Sequence, residues 1–241
     1  MVADTARRYL KDHYGFVTYN EQLNQASHCD PARWQLMMEL GWLGLPFPES
    51  IGGYGGELID VAMIVRELGA ALCLDPYVDL VVAPGKMLEY IGTERAIVVL
   101  QSIVENDEKV ACALYDCHAG YSVHKPTASI RDGKLSGQKS FVPDGGCANR
   151  VIATARIGDE LALLLVPLES CEITRYRALD GSRYADLVFH DIEIDDGMIL
   201  SRGAETSRVI SQVIAWLQAL DCARMYGAAN ALYQRTLEYA K

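Results

Sequence analysis

At 241 residues the chain holds enough material for one large domain or two to three small ones. Half of its residues are hydrophobic and 22% are charged, the make-up of an ordinary globular protein with a sizeable core. The 22 lysines and arginines stand against 32 aspartates and glutamates, a net charge of -10 with no basic run, which argues against binding a nucleic acid through its phosphates.

The seven cysteines (Cys29, Cys73, Cys112, Cys117, Cys147, Cys171 and Cys222) are scattered and contain no CxxC pair, so they read as free thiols of a reducing compartment. The opening stretch, Thr5-Ala-Arg-Arg-Tyr-Leu-Lys-Asp, is charged and helical in period, unlike a signal peptide. Apolar runs such as Leu161 to Val166 fall far short of the ~20 residues of a spanning helix. A cytoplasmic protein without a membrane span is expected.

Residues 1–108 read as helix after helix. Asp30 is placed as the N-cap of a helix that starts at Pro31, with Trp34, Met37, Met38 and Leu40 on its apolar face. A loop dense in glycine and proline follows from Gly41 to Gly56. Asp60 to Leu72 resumes helical spacing with Val61, Ile64, Val65 and Leu68 as its stripe. Val81–Ile91 and Glu94–Val104 are two further helices, parted by Gly92-Thr93.

The period changes near residue 109. Short strands are predicted from Val110, Thr127, Lys134, Arg150, Glu160, Cys171 and Ala185, with turn signals about every ten residues, as in a sandwich or barrel. Strands in a block with no helices between them make an antiparallel sheet rather than βαβ units. From Glu205 onward the helical period returns, and its apolar face runs from Val209 through Leu217 and Leu220 to Leu232 and Leu237. That face is too broad for one neighbour, so an oligomer built on residues 205–241 is expected, with a second copy or a paralogous subunit.

Six segments in register resemble the acyl-CoA dehydrogenase family. Glu39-Leu-Gly-Trp-Leu-Gly-Leu-Pro-Phe-Pro-Glu-Ser-Ile-Gly-Gly-Tyr-Gly-Gly is similar to the family's lG-xx-gl-x-x-PE-x-x-GG-x-G segment, and Glu67-Leu-Gly-Ala to its eelG. Gly92-Thr93 precedes a helix, as in the family, and Leu135-Ser-Gly-Gln-Lys-Ser-Phe-Val resembles l-x-G-x-K-x-W-I. The stretch from Leu179 to Ile194 is similar to G-x-R-x-s-x-x-x-F-x-d-v-x-V, with Arg183 on the family's arginine, and Leu232 to Lys241 to the helix before R-x-Q-F-G.

The resemblance implies an α+β protein in three blocks: an N-terminal helical domain (1–108), an antiparallel β-barrel or sandwich (109–198) and the first part of a C-terminal helical bundle (199–241). It implies FAD as cofactor, an acyl-CoA as substrate and an electron-transfer flavoprotein as partner. The expected reaction is α,β-desaturation, with the α-proton taken by a carboxylate and the β-hydrogen passed to the flavin as hydride.

The family's first flavin segment aligns with Tyr115 to Ser122, so Leu114, Tyr115, Gly120 and Tyr121 are carried over as cofactor contacts and Ser122 as a substrate contact. The second aligns with Phe141, Val142 and Pro143. Here the chain departs from the pattern: the hydroxyl residues of the family become Tyr115, Tyr121 and Pro143, and its tryptophan becomes Phe141. The usual catalytic base lies beyond Lys241. A minority position matches Leu220, which leaves Asp221, about 100° round the helix, as the one candidate. These departures keep two alternatives open: a non-catalytic paralogous subunit that completes an active partner's site, and another flavin oxidase or monooxygenase on the same fold. His118 and His124 flank the first segment, and no metal-ligand spacing is present. Asp180–Asp186 and Asp191–Asp196 read as turn acids on a solvated surface.

Overall fold

The computed structural model describes residues 2–25, 29–105, 108–117 and 122–241. Its elements follow the α–β–α order: helices α1 (Val2–His13), α2 (Phe16–Asn24), α3 (Pro31–Glu39), α4 (Leu58–Ala70), α5 (Ala83–Ile91) and α6 (Glu94–Val104), strands β1 (Val110–Ala113) to β8 (Ile199–Arg202), then α7 (Ala204–Tyr239). By its internal packing the chain divides into two units, Met1–Val78 with Ile214–Lys241, and Asp79–Val213.

In the first unit the local chemistry sets the helix ends. The Asp30 side chain accepts the Arg33 N–H at 2.9 Å and Pro31 occupies the first turn, so α3 starts where a capping acid followed by proline predicts. Helix α4 is fixed by a capping box between Glu57 and Asp60 and buries Val61, Ile64, Val65 and Leu68. Helices α4 and α7 approach backbone to backbone: a Cβ at Gly227 would stand 1.9 Å from the Arg66 carbonyl, and one at Gly69 would stand 2.1 Å from that of Arg224. A buried polar cluster ties the ends of α2 and α3 to the segment after α4. Gln22 bridges the Tyr14 hydroxyl (2.5 Å) and Asp75 (2.6 Å), and the Arg33 guanidinium forks onto Asp75 at 3.0 and 3.1 Å. The exposed apolar residues on α7 include Met225, Tyr226, Leu232 and Tyr233.

The second unit opens with α5, preceded by a π-type turn at Val78–Val82, and with α6, whose first turn is capped by the Thr93 hydroxyl. Both pack in one unit with the sheet. The remaining strands are β2 (Ser129–Arg131), β3 (Lys134–Pro143), β4 (Arg150–Ile157), β5 (Glu160–Pro167), β6 (Glu172–Arg177) and β7 (Arg183–Glu193). They form one sheet in the order β6-β7-β3-β2-β4-β5-β8, with β1 also paired to β4. Five pairings are antiparallel, as the uninterrupted strand block predicts. The pairings of β1 and β2 with β4 are parallel, so the sheet is mixed. Strand β8 was not foreseen and carries the sheet to Arg202.

The two parallel pairings decide where the chain leaves the sheet. β4 is paired along its whole length with β5 on one edge. On the other edge β1 covers Arg150–Ala153 and β2 covers Arg156 and Ile157. β1 and β2 are thus successive stretches of one strand position, and residues 114–128 are an excursion between them. Among the described residues no helix is long and apolar enough to cross a membrane.

Candidate functional site

The excursion is closed at its neck by a buried charge pair. Lys139 of β3 is fully buried and its ammonium meets the Asp116 carboxylate, itself 1% exposed. Lys139 Nζ also donates to Thr154 Oγ1 at 2.7 Å, and that hydroxyl donates to the Leu114 carbonyl at 3.1 Å. Asp116 accepts the Thr127 hydroxyl at 2.7 Å, the Ala128 N–H at 3.2 Å and the Thr127 N–H. Thr154 is one of the two β4 residues opposite the gap between β1 and β2, so one lysine and one aspartate hold both ends of the excursion.

The electrostatics follow from burial. Desolvation pushes the Lys139 ammonium down to about 8, with Asp116 opposing. Burial works to raise the Asp116 carboxyl, but the Lys139 charge and the Thr127 hydrogen bonds outweigh it and leave Asp116 below its ordinary value.

The same neck joins the two segments that the resemblance assigns to a flavin. The Ser140 N–H donates to the Tyr115 carbonyl at 2.9 Å, one residue from Asp116 and one from Phe141. Leu114 and Val142 are buried in the core, so their side chains face away from any ligand and only their main chains are available to one. Phe141 is 61% exposed and adopts φ +55°. Its N–H donates to Tyr176 Oη and to Asp186 Oδ1, each at 3.2 Å. Pro143 pairs with Tyr184 across β3 and β7 and has no N–H to offer. The Ser140 hydroxyl is buried without a hydrogen-bond partner among the described residues, a spare polar group beside Phe141. An exposed aromatic ring and two clasped main-chain segments fit an isoalloxazine; Pro143 lacks the family's donor.

Gly120 and Tyr121, with His118, Ala119 and His28, lie outside the described residues. Ser122 is half-buried just after them. Leu220 is buried, and Asp221 is exposed on α7 in the first unit. His13, His124 and His190 are exposed, and His190 meets Glu172 at 2.9 Å. The described residues hold no cluster of metal-ligating side chains. Among the described residues no two cysteines are joined by a disulfide.

Asp180 and Asp195 serve turns, accepting the Ser182 and Met198 N–H groups at 3.0 Å. Asp186 does not: it receives both Phe141 N–H and the Tyr176 hydroxyl, the latter at 2.9 Å. The reading of Asp186 as a solvated turn acid is therefore corrected, because β7 carries it opposite a bulge in β3. Tyr176 and Tyr184 were missed altogether. The available signal was two aromatics on strands separated by a tight turn, which places them opposite one another.

Comparison with known proteins agrees with this architecture. Residues 1–96 match the model of the acyl-CoA dehydrogenase N-terminal domain. The acyl-CoA dehydrogenase IpdE2 of Mycobacterium tuberculosis is 33% identical over 244 residues, covering 100% of this chain and 63% of that protein. The probable acyl-CoA dehydrogenase YngJ of Bacillus subtilis is 26% identical over 262 residues, 100% of this chain and 67% of its own length. Among solved structures, the ChsE4–ChsE5 complex of Mycobacterium tuberculosis superposes with a TM-score of 0.86 at 21% identity, over 99% of this chain and 65% of the matched one. The chain is thus similar to acyl-CoA dehydrogenases along its whole length and has their α+β fold. It spans between 58% and 67% of the first three curated relatives.

Proposed function

We propose that this chain carries part of the FAD site of an acyl-CoA dehydrogenase, which desaturates an acyl-CoA thioester between its α and β carbons and passes the electrons to an electron-transfer flavoprotein. One observation carries the reading: Ser140–Tyr115 and Lys139–Asp116 lock the two flavin segments of the family together, with the Phe141 ring exposed beside them. Leu114, Tyr115 and Val142 then offer main-chain groups, Phe141 its ring and Pro143 van der Waals contact. Gly120 and Tyr121 complete the cofactor contacts, and Ser122 faces the substrate. Bound FAD supplies hydride acceptance, while these residues orient it and exclude water. Asp221 is the one carboxylate considered as base, and its exposure does not support that role. Titration of the purified chain with FAD, alone and with a paralogous chain, tests the reading. Saturable quenching of flavin fluorescence supports it, and absence of binding in both cases sinks it.

A second reading is favoured by Tyr115 and Pro143, which replace hydroxyl residues of the family, and by a structural neighbour that is a complex of two named chains. Here the chain is a paralogous subunit that completes an active partner's site, docking through the α7 face that exposes Met225, Tyr226, Leu232 and Tyr233. Flavin retained only on co-expression with a paralogue would distinguish it from the first reading.

A further inference from the structure

We propose that Tyr176 is a positioning residue for the flavin: with Asp186 it holds the Phe141 bulge so that Phe141, Tyr176 and Tyr184 form one aromatic ledge for the isoalloxazine. The inference rests on the FAD reading above and adds Tyr176, Tyr184 and Asp186, to none of which the sequence assigned a role at the cofactor.

The argument begins with the register of β3 on β7. Lys139 pairs with Leu187 and Val142 with Ala185, so Ser140 and Phe141 together oppose the single residue Asp186. That is a β-bulge, and a left-handed residue at such a place is normally glycine. Phe141 has φ +55° instead. A left-handed conformation is unfavourable for any L-residue, and for a bulky side chain it is an outlier. Core packing does not compensate, because the ring is 61% exposed. Strain of this kind persists where the surroundings over-determine it, and it gathers at ligand sites.

The surroundings are Tyr176 and Asp186. The Phe141 N–H is shared between the phenol oxygen and the carboxylate, and the phenol donates its own hydrogen to that carboxylate. Burial and the adjacent Asp186 carboxylate push the Tyr176 phenol up to about 12, so it remains a donor at neutral pH. Tyr176 and Tyr184 are direct partners across β6 and β7, stacked at 6.1 Å with 22° between the rings. Phe141 stands edge-on to both, at 6.2 and 6.3 Å. Three strands thus contribute three neighbouring rings, two near-parallel and the third edge-on to both, a cluster that a planar heteroaromatic ring can meet face-to-face or edge-to-face. Of the two such rings in FAD, the isoalloxazine is assigned here because Phe141 occupies the position of the family's flavin-packing tryptophan.

The test is a titration of the purified chain with FAD, followed by quenching of flavin fluorescence and repeated with riboflavin and with AMP. Tyr176→Phe removes one oxygen atom and keeps the ring. It is expected to weaken FAD and riboflavin by about tenfold, the effect of one lost hydrogen-bond hub, with the AMP response and the far-UV dichroism unchanged. Wild-type affinity for FAD in Tyr176→Phe overturns the positioning role alone. A loss confined to AMP overturns the assignment to the isoalloxazine. Failure of the wild-type chain to bind FAD under any condition overturns the reading beneath it, and the ledge with it.

Discussion

The ammonium of Lys139 meets the carboxylate of Asp116 inside the β unit, with 0% and 1% of the two side chains exposed. The pair joins the segment Leu114–Asp116 to the segment Lys139–Phe141, alongside the Ser140–Tyr115 backbone hydrogen bond and the relay through Thr154 to the Leu114 carbonyl. A buried ion pair is weak evidence of stability in itself, because desolvation offsets most of the attraction. Its effect here is geometric: it decides where the excursion from β1 to β2 begins and ends.

Removing one partner should therefore cost far more than removing both. Lys139→Met leaves a buried, uncompensated carboxylate and is expected to destabilise the protein by about 3–5 kcal/mol. The double variant Lys139→Met with Asp116→Asn should recover much of that loss. Urea denaturation of the two variants checks the difference, and equal stabilities would refute the pairing.

The same lysine gives a pH signature. Its folded-state value of about 8 lies below the ordinary 10.5, so between these two the unfolded chain binds the extra proton. Stability contributed by this group should rise with pH across that window, because the unfolded chain still holds a proton there that the folded protein has already released. Compared with the double variant, which titrates at neither position, the wild type should gain stability from pH 8 to pH 10.5. A falling difference across that window would contradict the assignment.

Gly227 and Gly69 should tolerate no side chain. A Cβ at either would press on a backbone carbonyl, at 1.9 Å from Arg66 and 2.1 Å from Arg224, so the helices must separate. Gly227→Ala is expected to lower stability by about 1–3 kcal/mol although alanine is the better helix former. Thermal unfolding that shows a stabilised Gly227→Ala protein would count against the close crossing of α4 and α7.

At Phe141 the ordinary ranking of alanine over glycine in a strand should invert. Phe141→Gly relieves the left-handed strain, whereas Phe141→Ala keeps it and also loses the ring, so the glycine variant should be more stable by about 1 kcal/mol. Both should bind FAD less well than the wild type. Matched denaturation curves for the two variants decide it, and an alanine variant as stable as the glycine one would remove the strain argument.

What was legible in the sequence was local. Asp30-Pro31 and Thr93 mark helix starts because a side-chain oxygen caps N–H groups within one turn, and α3 and α6 begin there. Strands β4 and β5 show in their apolar runs, and the turn at Gly158-Asp159 joins them in register. What was hidden depends on pairing across the sheet. Nothing in Val110–Ala113 or Ser129–Arg131 tells that both lie parallel to β4. The bulge at Ser140 and Phe141 leaves no local mark, so Asp186 was assigned to the surface when it serves a hydrogen-bonded strand interior. Lys139 was visible only as a letter in a family motif, and its burial against Asp116 needed the fold.

The measurement that bears most directly on the central claim is FAD binding by the chain and by its Phe141→Gly and Lys139→Met variants, read by quenching of flavin fluorescence. The account predicts saturable binding by the wild type and weaker binding by both variants, with Phe141→Gly still fully folded. Absence of binding by the wild type, alone and with a paralogous chain, or equal binding by all three proteins, would contradict it.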